Sequence, residues 1–199
     1  MSISLNEGGM QNDHTYDDKT DEELVAHTLS DPNRYEYIMA RYEPKLMRYV
    51  LRLAAFSKEE ADDVLQETFI KTYQNLNEYD RSFKFSSWIY RIAHNEAVNA
   101  LRKMNRLPRT IESKEQELIM ERLAGSLDLE HELDNKLHRE QLLKALEKLD
   151  GKYRDVLVLK FLEEKSYEEI SDILKKPVGT VGTLINRARK QLFEKINHE

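Results

Sequence analysis

The chain has 199 residues, no cysteine, 34% charged residues and a net charge of −6. Without a thiol it has no disulfide, no thiolate nucleophile and no thiolate metal site. No apolar run approaches the ~20 residues that span a bilayer, so a soluble cytoplasmic protein without membrane insertion is expected, long enough for one large domain or two small ones.

The charge is unevenly distributed. Residues 1–36 carry a net −7, 57–80 a net −5 and 110–135 a net −6, whereas 81–109 carry +6 and 175–199 carry +4. Two basic islands in an acidic chain point to two places that meet polyanions and to acidic stretches that meet something else. Residues 1–20 read as a disordered acidic extension, neither signal peptide nor anchor.

Six glycines and four prolines leave few breaks, and the chain reads as all-α. Ile38, Tyr42, Leu46, Tyr49, Val50 and Leu53 recur at helical spacing, with Pro44 suited to the first turn of a new helix. Ser57 and Glu60 form a capping box for a helix whose apolar stripe is Ala61, Val64, Leu65, Thr68, Phe69, Thr72 and Tyr73. Asp63, Gln66, Glu67 and Ile70 fall at i, i+3, i+4 and i+7 and so share a different face. Two readings of that face stay open at this point: an ordinary solvated surface with one stray isoleucine, or a docking face for a basic partner.

The stretch "FKFSSWIYRIAHN" sets Phe83, Phe85, Trp88 and Tyr90 among Arg81, Lys84 and Arg91, with Ser86 or Ser87 as the cap of the helix that follows. Aromatic rings interleaved with cations suit unpaired bases, since stacking contributes about 1–3 kcal/mol per base and cations follow the phosphates. Ile89 and Ile92 read as core, while Arg91, Asn95, Val98 and Arg102 lie along one helix face. Residues 105–135 read as an acidic linker. Beyond it, Leu142, Leu143, Leu146 and Leu149 lead to a second capping box at Ser166 and Glu169, inward-facing Ile170, Ile173 and Leu174, and a turn "KKPVG" into a last helix over 179–196. Two helices across a tight turn make a helix-turn-helix, with Thr180, Thr183 and Asn186 placed to read base edges and Arg187, Arg189 and Lys190 to hold phosphates.

"DDVLQETFIKTYQNL", "FSSWIYRIAHNEAVNALRK" and "YRDVLVLKFLEEKSYEEISDILKKPVGTVGTLINRARKQL", in that order, resemble the two modules of the extracytoplasmic-function (ECF) sigma factors of bacterial RNA polymerase. The resemblance implies two small helical domains, a region-2-like one over 21–104 and a region-4-like helix-turn-helix over 136–199. It implies that Asp63, Gln66, Glu67 and Ile70 dock on the β′ clamp helices of core RNA polymerase. Lys84, Phe85, Trp88, Arg91, Asn95 and Arg102 would hold the melted promoter strand, Trp88 and Asn95 matching a family motif. The second domain would bind the β flap and read upstream promoter DNA, and an anti-sigma factor would be a further partner. The chain departs from the family at Gly182, Thr183 and Leu184, where many members carry lysine, serine and arginine.

A stand-alone helix-turn-helix regulator is the alternative, though it leaves 81–109 unexplained. An enzyme is not expected: His94, His131 and His138 lack ligand spacing, and no phosphate loop occurs. Neither cofactor nor metal is expected.

Overall fold

The computed structural model describes residues 18–54, 56–104, 145–146 and 148–197. Among them are seven α-helices and no strand: α1 (Asp21–Ser30), α2 (Tyr35–Leu53), α3 (Lys58–Gln74), α4 (Phe85–Met104), α5 (Gly151–Leu157), α6 (Tyr167–Leu174) and α7 (Val178–Asn197). Most of the expected extension, the whole linker 105–135, Leu142 and Leu143 lie outside the described residues.

α1 starts on a capping box that sequence inspection passed over. The Thr20 hydroxyl accepts from the Glu23 amide while the Glu23 carboxylate accepts from the Thr20 amide, satisfying two otherwise orphaned donors. The next helix corrects an expectation, because Pro44 lies inside α2 rather than opening a new helix. A proline in a helix interior removes one backbone hydrogen bond and costs about 3 kcal/mol. Ile38, Tyr42, Leu46, Tyr49, Val50 and Leu53 are nonetheless all buried on one continuous stripe. Burying each large side chain contributes roughly 1.5–3 kcal/mol, so the stripe outweighs the proline.

α3 begins on the Ser57–Glu60 capping box and buries Ala61, Val64, Leu65, Thr68, Phe69 and Thr72. Thr68 and Thr72 sit in the core by donating their hydroxyls to the carbonyls of Val64 and Thr68. Tyr73 departs from the expected stripe and is largely exposed.

Neither Ser86 nor Ser87 caps α4. The amides of Ser87 and Trp88 both donate to the Lys84 carbonyl, so the helix starts at Phe85. The cause is packing: the Phe85 ring is 1% exposed, with its centroid 5.6 Å from Tyr42 and 5.3 Å from Tyr79. Ser87 is drawn inside with it, its hydroxyl without a protein partner.

α5 runs on into a π-helical turn, Val158–Leu162, that buries Val158 and Leu159. α6 carries the expected Ser166–Glu169 box and ends at Lys175, whose φ of 52° is the left-handed cap that turns the chain through Pro177 into α7. Ile170, Ile173, Val181, Ile185 and Ala188 close the core between α6 and α7, and α4 packs against α3 on one side and α6 on the other. No described helix is long and apolar enough to cross a membrane.

Candidate nucleic-acid interface

Asp63, Gln66, Glu67 and Ile70 form a ridge on α3 between two depressions. Gln66 and 50%-exposed Ile70 face α2 across a groove of about 790 Å³ edged by Tyr35, Met39, Phe69 and Tyr73. Asp63 and Glu67 face α4 across a cleft of about 380 Å³ that also takes in Glu96 and Lys103. Lys71 bridges the ridge to α4, 2.7 Å from Glu96 and 3.3 Å from Glu67. The four residues therefore offer an apolar half and an acidic half, a pattern suited to a partner helix that is itself amphipathic and basic.

The loop before α4 is held by its own hydrogen bonds. Asp80 accepts from the Ser82 amide at 2.9 Å, and the Tyr79 hydroxyl donates to the Phe83 carbonyl at 2.6 Å. Burial raises the Tyr79 hydroxyl to a pKa of about 12. Beneath the loop, Phe85 and Trp88 are buried in one aromatic cluster with Tyr79, at centroid separations of 5.3–5.6 Å. Their rings shape the loop and present no open face for stacking. The exposed aromatic is Phe83, beside exposed Lys84. Along α4, Asn95 and Arg102 are exposed and Arg91 is half-buried.

On α7, Thr180, Thr183, Asn186, Arg187, Arg189 and Lys190 are all exposed, whereas Val181, Ile185 and Ala188 are buried on the opposite side. Thr183 spends its hydroxyl proton on the Gly179 carbonyl at 2.9 Å, which leaves its oxygen and methyl for a base edge. A Cβ placed on Gly182 would meet nothing within 4 Å, so the protein itself does not require glycine there. Leu184 packs against the core.

Residues 38–107 match the sigma-70 region 2 family and residues 139–192 the sigma-70 region 4 family. The chain is 33% identical over 175 residues to the ECF RNA polymerase sigma factor SigW of Bacillus subtilis (strain 168), covering 83% of this chain and 90% of that one. It is 32% identical over 182 residues to the ECF RNA polymerase sigma-E factor of Escherichia coli (strain K12), covering 89% and 94%. The chain belongs to the ECF RNA polymerase sigma factors. Its fold is similar to that of CnrH solved in complex with the cytosolic domain of CnrY, with a TM-score of 0.66, 25% identity and coverage of 91% of this chain and 99% of that one. It is also similar to the sigma factor RpoE of Bartonella quintana solved with the anti-sigma factor NepR, at a TM-score of 0.61, 21% identity and coverage of 82% and 96%.

In this sigma factor the C-terminal helices lie against α2 and α4 through charged contacts that the sequence pattern did not single out. Arg52 donates to Glu163 at 2.7 Å, and the Tyr90 hydroxyl donates to the other Glu163 oxygen at 2.8 Å. Both ionic side chains are buried, 4% and 6% exposed. Burial raises the Glu163 carboxyl above its ordinary value, while the Tyr90 and Arg52 contacts pull it back. Arg91 donates to Asp172 at 2.8 Å, and Lys84 to Glu169 at 3.2 Å. Arg154 donates to the Leu53 carbonyl at 2.8 Å. Deeper still, His94 lies between the Tyr49 hydroxyl, 3.1 Å from Nδ1, and Asp155, 3.9 Å from Nε2. Glu169 and Asp172 belong to "YEEISDIL", where sequence reasoning had accounted for Glu169 by its cap alone; the clue passed over was that Asp172, at i+3, falls beside it on the same helix face.

Proposed function

We propose that this sigma factor binds core RNA polymerase, recognises promoter DNA, assists its melting and so directs transcription initiation in the cytoplasm, without catalysing a reaction itself. The observation that carries this reading is the presence, on one chain of this family, of an exposed α7 face bearing Thr180, Thr183, Asn186, Arg187, Arg189 and Lys190 and a separate cationic strip at Lys84, Arg91, Asn95 and Arg102. Two DNA elements can then be held at once, one read as duplex through the major groove and one as separated strand. The first domain, 21–104, would supply strand capture and the second, 136–199, upstream recognition.

The α3 ridge would be the docking face for the β′ clamp helices, and the C-terminal domain would meet the β flap. An anti-sigma factor is a further partner of this reading. Phe85 and Trp88 act within it as supports for the loop 80–87, while Asn95 offers the polar contact that identifies an extruded base.

Co-purification with core polymerase followed by run-off transcription tests the reading. Asn95→Ala is expected to lower transcription from duplex promoters more than from pre-melted ones, while leaving core binding intact. Loss of equal size on both templates would count against a melting role for Asn95, and failure of the wild type to support any transcription would sink the reading as a whole.

A further inference from the structure

We propose that Phe83 is the platform on which a base of the separated strand stacks, and that Tyr79 is a positioning residue that holds the Phe83 backbone in place from beneath. The proposal rests on the strand-capture reading of the loop 80–87 given above and adds to it the ring that makes the contact.

Of the aromatic side chains between 83 and 90, Phe85, Trp88 and Tyr90 are taken up by the core, at 1%, 7% and 3% exposure, whereas Phe83 is 50% exposed. Its face is open enough for the Lys175 ammonium to stand 5.7 Å over the ring centroid. A ring that accepts a cation on its face can accept the flat face of a base there too. Arg81, Ser82 and Lys84 beside it are also exposed, so cations that follow phosphates stand on either side of the ring. The exposed pairing of Lys84 with Glu169 is weak enough to yield to a phosphate.

What separates Phe83 from a stray surface aromatic is its backbone. Its amide donates to the Asp80 carbonyl at 3.1 Å and its carbonyl accepts from the Tyr79 hydroxyl at 2.6 Å, while the Asp80 carboxylate accepts from the Ser82 amide at 2.9 Å. Tyr79 is itself fixed, 7% exposed, with its ring centroid 5.3 Å from Phe85 and 5.5 Å from Trp88. The buried aromatic cluster therefore grips the loop through the Tyr79 hydroxyl, at the residue whose own ring is left outside. Ordering a loop on binding costs free energy, and a backbone already held at both its polar groups avoids most of that cost. A half-exposed phenylalanine on such a backbone is preorganised for stacking.

The test uses the full chain and two fluorescein-labelled strands read by anisotropy, one of about 20 thymidines and one of equal length built of abasic deoxyribose phosphates. Phe83→Leu keeps an apolar side chain and removes the ring. It is expected to weaken binding of the thymidine strand about tenfold, the ~1.4 kcal/mol equivalent of one modest stacking contact, and to leave the abasic strand unaffected. Phe83→Tyr, which retains a ring, should bind as the wild type does. Tyr79→Phe keeps the packed ring and deletes only the hydroxyl; a loss of about threefold on the thymidine strand is expected. Combined with Phe83→Leu it should cost nothing further, because both act on one contact. Additive losses in the double variant would make Tyr79 purely structural and overturn its positioning role. A wild type that holds both strands alike, or a Phe83→Leu variant that loses nothing or loses equally on both, overturns the stacking assignment. Wild-type run-off transcription with core polymerase, measured in parallel, reports on the functional reading separately. Transcription without the stacking effect removes the platform and leaves the sigma-factor role, whereas the stacking effect without transcription leaves the platform and removes that role.

Discussion

His94 and Asp155 are two buried groups whose protonation works in opposite directions. Burial, assisted by Lys176, lowers the imidazole to about 4, so closing the helices around it favours the neutral ring. Stability from His94 is therefore complete above its ordinary value of 6.5 and is lost as pH falls through about 4. Asp155 is raised to about 7 by burial, against the pull of Arg154 and Lys176. Its contribution is complete below 3.8 and is lost as pH rises through about 7. The two slopes oppose each other across the same window, so His94 and Asp155 together should add little pH dependence to the stability between about pH 4 and 7. Asp155→Asn removes one slope; its denaturation midpoint is expected to fall steadily as pH drops from 6.5 to 4 and to exceed that of the wild type at pH 8. An unchanged pH profile would show that the pair titrates elsewhere. At Gly182, open space around the missing Cβ makes Gly182→Lys sterically free, and replacing a helical glycine adds up to about 1 kcal/mol of helix stability. Duplex DNA affinity should rise with one further phosphate contact in its salt dependence, with no change in the promoter selected. If affinity falls while helicity holds, DNA must approach the Gly182 backbone closely.

At the scale of the helix, period and cap chemistry are legible in the sequence, and competition for the core is not. The boxes at Ser57 and Ser166 and the stripes of α2 and α3 follow from local spacing alone. Pro44 reads locally as a helix start, yet six buried residues on both sides of it keep α2 whole. Ser86 and Ser87 read locally as caps, yet the demand of Phe85 for the space between Tyr42 and Tyr79 moves the start of α4 upstream. The same limit applies to the ridge on α3: spacing puts Asp63, Gln66, Glu67 and Ile70 on one side, but only the positions of α2 and α4 divide it into an apolar and an acidic half. The halves should fail differently. Reversing Asp63 and Glu67 to lysine is expected to slow association with core polymerase and flatten its salt dependence, as charges at a rim do. Ile70→Ala, which removes an apolar anchor beside the groove, should instead speed dissociation, with a loss of about 1–3 kcal/mol in binding. Surface plasmon resonance on immobilised core polymerase separates the two; equal effects on both rates for both variants would mean that the ridge is not divided.

Across the whole molecule, charge segregation was visible in the sequence, but its internal use was not, since no periodicity links Arg52 to Glu163 or Arg91 to Asp172 across about a hundred positions of chain. These contacts also differ greatly in what they can hold. Lys84 is largely exposed, and an exposed pair of this kind contributes about 0–1 kcal/mol and is screened by salt. Arg52 and Glu163 are buried, and removing one partner of a buried pair costs about 3–5 kcal/mol because the other charge is left without compensation. Arg52→Met should therefore open the molecule where Lys84→Met leaves it closed, as read by energy transfer between dyes on cysteines introduced at exposed Glu59 of α3 and Glu194 of α7 in this otherwise cysteine-free chain. The opening should depend on pH with a definite sign. Burial already raises the Glu163 carboxyl, and losing Arg52 removes one of the contacts that hold it down, so in the variant the closed form favours the protonated acid still more. A group raised on closure supports the closed state at low pH and ceases to as pH rises, so Arg52→Met should be open at pH 8 and regain the wild-type distance toward pH 5. Adding Glu163→Gln to Arg52→Met removes the titrating group and should make the distance independent of pH. If the single variant instead stays closed at pH 8, the Arg52–Glu163 pair is not what holds the C-terminal helices on α2, and the remaining contacts, Arg91 with Asp172 and Arg154 with the Leu53 carbonyl among them, suffice without it.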